Sequence, residues 1–127
     1  MSSTTKQSPF LGPRSVIYPT SDITTSKAWY SKVLGVEPYF DQPGYVGFNV
    51  NGFELGLFPA GDPTRGPMTY WGVLDIQSSL ANLIDHGATM LEPIHDVGGG
   101  IKMANVLDPE GHPFGLIENP NTIAPPD

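Results

Sequence analysis

One short segment is written twice in this chain. "GFELGLFP" at 52–59 and "GHPFGLIE" at 111–118 superpose with Gly52 on Gly111, Leu55 on Phe114, Gly56 on Gly115 and Leu57 on Leu116. The likeness extends upstream, where Asp22-Ile23 and Asp75-Ile76 lie 53 positions apart. That offset sets Ser15 on Met68, Ile17 on Tyr70, Tyr18 on Trp71 and Pro19 on Gly72. Further on, Glu37-Pro38 meets Glu92-Pro93, the drift in offset being what loop insertions produce. Repetition on this scale marks a supersecondary unit that has been duplicated in tandem.

Each copy reads as strand, helix, strand, strand, strand. In the first, "RSVIYPT" is strand-like, and Asp22 is placed to cap a helix through "ITTSKAWYSKVLG" that Gly35 stops. "VEPYF" and "YVGFNV" follow as strands, and Asn51-Gly52 is the preferred two-residue turn into "FELGLF". "PAGDPTRGP" at 59–67 is turn chemistry and reads as a linker. The second copy runs "MTYWGVL", a helix "QSSLANLIDHG" capped by Asp75, then "TMLEPIH", "IKMANVL" and "HPFGLIE", with turns at 98–100 and 108–111. The expected organisation is one α+β domain over 13–120, with modules at 13–58 and 68–118 and loose tails at 1–12 and 121–127.

Composition removes whole classes of function. The net charge is −7 and the six basic residues are scattered, so no positive surface exists to displace counterions from nucleic acid or to dock on anionic lipid. Cysteine is absent, which excludes a disulfide framework, a thiolate nucleophile and a zinc knuckle. The N-terminus has no apolar signal-like region and no apolar run approaches membrane length. A soluble cytoplasmic protein is the expectation.

A strand, then Asp-Ile, then a helix ending in Leu-Gly, repeated and closed by "DPEGHPFGLIENP", resembles the vicinal oxygen chelate superfamily of glyoxalases, bleomycin-resistance proteins and extradiol dioxygenases. The resemblance spans roughly Arg14 to Pro120. It implies tandem βαβββ modules forming an eight-stranded cup with helices outside, and commonly a homodimer assembled edge to edge or by module exchange. In metal-dependent relatives the ligands come from the first and last strands of each module. Carried over position by position, those places hold Ser15, Met68, Gly56 and Gly115. A serine, a methionine and two glycines do not supply the oxygen and nitrogen donors that a catalytic divalent metal needs. No cofactor is expected.

Strand alternation sorts the remaining candidates. Positions 113, 115 and 117 share the cup face, leaving Phe114, Leu116 and Glu118 to the helix side, as are Tyr18 and Trp71. The expected ligand contacts are Ser15, Ile17, Glu54, Gly56, Phe58, Met68, Tyr70, Gly72, His95, Asn105, Gly115 and Ile117, with Tyr45 as a contact of undetermined facing. Glu54 is the one catalytic candidate, a general base if buried and a hydrated carboxylate if it sits at the mouth. His86 suits a helix C-terminus and His112 a surface turn, leaving His95 as the rim histidine. The expected function is metal-free binding of an organic metabolite or drug, the small residues making room for it. The alternative is a glyoxalase-like lyase, isomerase or dioxygenase.

Overall fold

The computed structural model describes residues 8–60, 64 and 66–120. The expected tail at 121–127, residues 1–7 of the other tail, and positions 61–63 and 65 of the linker lie outside the described residues. The elements are β1 (Phe10–Pro19), α1 (Ile23–Leu34), β2 (Phe40–Gln42), β3 (Tyr45–Val50), β4 (Phe53–Phe58), β5 (Met68–Val73), α2 (Ile76–Asp85), β6 (Thr89–Gly98), β7 (Ile101–Leu107) and β8 (Pro113–Glu118). They form one eight-stranded mixed sheet in the order β2-β3-β4-β1-β5-β8-β7-β6. This is the α+β architecture that the duplication implies.

The sequence offset reappears as symmetry. β1 and β5 pair antiparallel at the centre of the sheet, with Val16 opposite Thr69, and these two residues are themselves 53 positions apart. A pseudo-twofold axis therefore passes through this pair. On either side the parallel pairs match: Ile17 faces Gly56 on β4, and its counterpart Tyr70 faces Gly115 on β8.

Local chemistry fixes the boundaries. Asp22 accepts a hydrogen bond from the Thr25 backbone N–H at 3.1 Å, and Gly35 closes α1 with φ 75° and a bond from its N–H to the Ser31 carbonyl. Asp75 caps α2 in the same way, accepting from Gln77 and Ser78. Asn51 and Gly52 have φ of 54° and 94°, the two positive values that a tight hairpin turn requires. Asp108 organises the "DPEG" turn by accepting from the backbone N–H groups of Glu110 and His112.

β6 runs to Gly98, three residues past the expected strand, and two other boundaries differ from expectation. β1 begins at Phe10, inside the expected N-terminal tail, because Phe10 pairs with Val73 and packs edge-on against Trp71 and Phe114. The strand expected over "VEPYF" reduces to β2, sharing only Phe40 with it. Pro38 has no N–H to give to a ladder, and pairing starts with the Tyr39 N–H to the Gly47 carbonyl at 3.0 Å.

Both helices lie on one face. Val46, Phe48 and Leu57 are buried beneath α1 with Tyr18, Tyr30 and Leu34 packed on them. Val73, Ile76, Leu80, Ala104, Val106 and Leu116 form the corresponding core beneath α2. Burying a Phe or Leu of this kind contributes roughly 1.5–3 kcal/mol each. Tyr18 and Trp71 sit on this face as expected, against Tyr30 and Phe114 respectively. Glu118 also turns to this side and accepts a hydrogen bond from the Ile76 N–H at 2.9 Å, so it caps α2. The opposite, concave face is left open.

Candidate functional site

The concave face encloses a cavity of about 750 Å³. Seven of the twelve expected contact residues line it, Ser15, Ile17, Glu54, Phe58, Tyr70, His95 and Ile117, and so does Tyr45, whose facing was open. Five do not. Met68 pairs with Ile17 beside the cavity, Asn105 stands behind Tyr70, and Gly56, Gly72 and Gly115 are covered by other side chains.

The covering corrects the idea that the glycines open space for a ligand. A Cβ at Gly56 would lie 1.9 Å from the Tyr45 phenol oxygen, and one at Gly115 would lie 2.6 Å from Tyr70 Cδ1 and 2.9 Å from Asn105 Oδ1. The glycines make room for tyrosines. Gly47, opposite Gly56 on β3, plays the same part, since a Cβ there would sit 2.8 Å from Glu54 Oε2 and 3.0 Å from the Tyr39 ring.

What the first module builds in that room is a carboxylate held by hydroxyls. Ser15 Oγ and Tyr45 Oη each donate to Glu54 Oε1 at 2.9 Å, and Tyr39 Oη donates to Oε2. Burial, then the adjoining Glu54 carboxylate, pushes both phenols well above their ordinary value of 10.0, so they remain donors throughout the physiological range. Glu54 is half-buried, and these hydroxyls occupy three of its roughly four acceptor sites.

The second module builds a different network. Asn105, 3% exposed, donates from Nδ2 to Tyr70 Oη at 3.2 Å and to Glu92 Oε1 at 2.6 Å. Burial raises the Tyr70 phenol, against the opposing effect of the Asn105 bond. Glu92 lines the cavity and was missed by sequence reasoning, where it served only as a repeat marker beside Pro93. Tyr39 and Arg14 also line it without having been foreseen. Tyr39 lies in the segment expected as a strand but precedes β2, so strand alternation does not govern its facing. Arg14 carries the wrong parity for the cup and reaches it through an irregularity in β1.

The histidines separate as expected. His86 Nδ1 lies 2.8 Å from the Asn82 carbonyl at the end of α2, and His112 Nδ1 lies 3.1 Å from Asp108 Oδ2 in the turn. His95 is at the cavity, with Nδ1 3.0 Å from the Pro93 carbonyl.

The positions that correspond to the ligands of metal-dependent relatives hold Ser15, Met68, Gly56 and Gly115. Ser15 Oγ already donates to Glu54, and tyrosine side chains occupy the space above Gly56 and Gly115. Among the described residues, no three of His, Asp and Glu converge.

The fold, the duplicated module and the position of the cup define the kind of protein this is. The chain belongs to the Glyoxalase/Bleomycin resistance protein/Dioxygenase superfamily, whose pattern matches residues 13–116. Among solved structures, a superfamily member from Vibrio splendidus 12B01 is 21% identical, covering 84% of this chain and 99% of its own with a TM-score of 0.63. A hypothetical protein from Bacillus halodurans C-125 reaches a TM-score of 0.72 at 13% identity, over 87% of this chain and 96% of that one. Methylmalonyl-CoA epimerase in complex with methylmalonyl-CoA and NH4+ is similar at 0.71 with 15% identity, over 90% and 98% of the two chains. At these identities the likeness is one of fold. Among curated proteins none matches the chain. Among the described residues, no helix is long and apolar enough to cross a membrane.

Proposed function

We propose that this protein binds a small organic molecule in the cup without a metal ion, as a soluble cytoplasmic protein. The observation that carries this reading is the cavity itself. Its volume suits a ligand of metabolite or drug size, and its walls combine apolar Ile17, Phe58 and Ile117 with fixed polar groups. Glu54 and Tyr70 orient the ligand by hydrogen bonding, while Phe58 provides contact area.

A screen of metabolites and antibiotics by thermal shift tests the reading, since a ligand that binds only the folded state raises the melting temperature. A hit whose effect disappears when Ile117→Trp fills the cup supports it. A hit indifferent to that substitution places binding elsewhere. Stoichiometric zinc, nickel, manganese or iron in protein purified without added metal would refute the metal-free part.

A second reading is favoured by the presence of a carboxylate in the cavity: Glu54 as the base of a metal-independent isomerase. The three hydroxyls on Glu54 weigh against it. Turnover of a bound ligand that is lost in Glu54→Gln, with binding kept, would establish the enzyme.

The assembly we propose is a homodimer. Within one chain the two modules meet through β1 and β5, and two chains associate edge to edge or by exchanging modules. β2 and β6 are the sheet's outer strands, and β6 has mostly exposed residues that include Val97. Light scattering showing a monomer at high micromolar concentration would remove the proposal.

A further inference from the structure

We infer that Arg14 is the receptor for a carboxylate group on the ligand, so that the cup selects small organic monoacids. The inference rests on the cup being the binding site and adds the chemical class of what it binds.

Arg14 reaches the cavity by a break in strand alternation. Pro13 faces Trp71 and Ser15 faces Tyr70, adjacent residues on β5, which leaves Arg14 as the extra residue of a bulge. Bulges re-aim side chains, and this one places Arg14 at the cavity alongside Ser15. Gly72 provides its bed: a Cβ there would meet Arg14 Cγ at 2.8 Å and Nε at 3.2 Å.

The residue is 9% exposed, and its Nε and Nη2 are buried with no hydrogen-bond partner. These two nitrogens form one edge of the guanidinium, the edge that presents two parallel N–H groups. It matches a carboxylate bidentately. A buried cation with two idle donors is costly, and proteins keep such groups paired. The missing partner is an anion that enters with the ligand.

The rest of the cavity narrows the class. Glu54 and Glu92 line it, with His95 on the wall, and the chain carries a net charge of −7. Repulsion from these carboxylates disfavours a dianionic phosphate ester more than a carboxylate of single charge. Phe40, Phe53, Ile101 and Met103 supply an apolar lining for the remainder of the molecule. An aryl- or alkyl-substituted monocarboxylate meets all of these conditions.

The test uses 4-phenylbutyrate, its neutral amide 4-phenylbutyramide, and 2-phenylethyl phosphate, titrated into the full chain and followed by NMR. The Arg14 Nε–H resonance and the Ile17 and Ile117 methyls are the reporters. The acid is expected to shift all three and to bind at least about tenfold more tightly than the amide, which moves the methyls alone. Arg14→Gln is expected to bring acid and amide within twofold, and Arg14→Lys to keep only part of the preference. Should either variant fail to fold, the Nε–H shift in the parent protein still decides.

Acid and amide binding equally in the parent would overturn the inference while leaving the cup as the site. So would a preference that survives Arg14→Gln, or a phosphate that binds more tightly than the acid. If none of the three probes moves the Ile17 and Ile117 methyls, the cup-binding reading falls and this inference with it.

Discussion

On β3 and β4 of the first module, Gly47 faces Gly56; at the equivalent place on β7 and β8 of the second, Asn105 faces Gly115. Two glycines leave room for a crowded cluster, so Tyr39, Tyr45 and Ser15 converge on Glu54. One glycine and an asparagine leave room for a single ring, so Tyr70 covers Gly115 and is tied through Asn105 to Glu92. The strand order is symmetric and the chemistry on the concave face is not. Duplication supplied a cup, and divergence at a few cup-facing positions set what each wall offers.

The largest test of this contrast is to fill the glycines. Gly56→Ala is expected to destabilise by about 3 kcal/mol and Gly115→Ala by about 1–2 kcal/mol, because the added Cβ meets Tyr45 at 1.9 Å but Tyr70 at 2.6 Å. Urea unfolding measures both. Adding Tyr45→Ala to Gly56→Ala should bring the cost well below the sum of the single changes. Equal costs at the two glycines would break the comparison.

The carboxylates come next. Glu54→Gln removes the charged acceptor of three hydroxyls and is expected to lower stability by about 1–2 kcal/mol. Glu92→Gln touches one hydrogen bond on an exposed residue and is expected to cost a few tenths of a kcal/mol. Chemical denaturation of the two variants side by side shows whether the walls differ as described.

Alkaline pH separates the walls by titration. Tyr39 and Tyr45 have raised values in the folded protein against an ordinary 10.0, so the folded state holds their protons more tightly than the unfolded one. Their stabilisation is complete below pH 10 and is lost as pH climbs from there through the folded values. Unfolding midpoints should therefore fall above pH 10, and Tyr39→Phe and Tyr45→Phe should each flatten the fall. Tyr70→Phe should flatten it less, since the Asn105 bond partly offsets its burial.

The smallest expected difference lies in the helix caps. The Asp22 carboxyl is held below its ordinary 3.8 by hydrogen bonds from Thr25, so its contribution is present at neutral pH and is lost as pH falls through the folded value. Asp22→Ala should accordingly destabilise at pH 7 and matter progressively less as pH falls through the folded value, as read from thermal melts. α1 buries no residue fully, whereas α2 buries Ile76 and Leu80, so losing the first cap should melt its helix more locally than losing the Asp75 cap.

The backbone was legible because duplication leaves a numerical trace. The offset read from Asp22 and Asp75 is the one that pairs Val16 with Thr69, and alternation correctly sent Tyr18, Trp71 and Glu118 to the helix side. The site was legible only where alternation holds. Glu54, Tyr70 and Ile117 follow it and line the cavity, whereas Arg14 escapes it through a bulge that no residue pattern announces. The glycines were seen, but the absence of a side chain does not say what fills the gap. That depends on Tyr45 and Tyr70 reaching across from neighbouring positions, a packing outcome rather than a spacing.

In the proposed function, the cup holds an organic ligand with no metal between them. Methyl NMR of the full chain, titrated in EDTA with a ligand found by thermal shift, tests it most directly. The Ile17, Ile101, Met103 and Ile117 methyls should move together while Ile76 and Ile84 on α2 stay fixed, and the dissociation constant should change by less than twofold when EDTA is replaced by zinc or manganese. Shifts confined to the helical face, or binding that EDTA abolishes and metal restores, would contradict the claim.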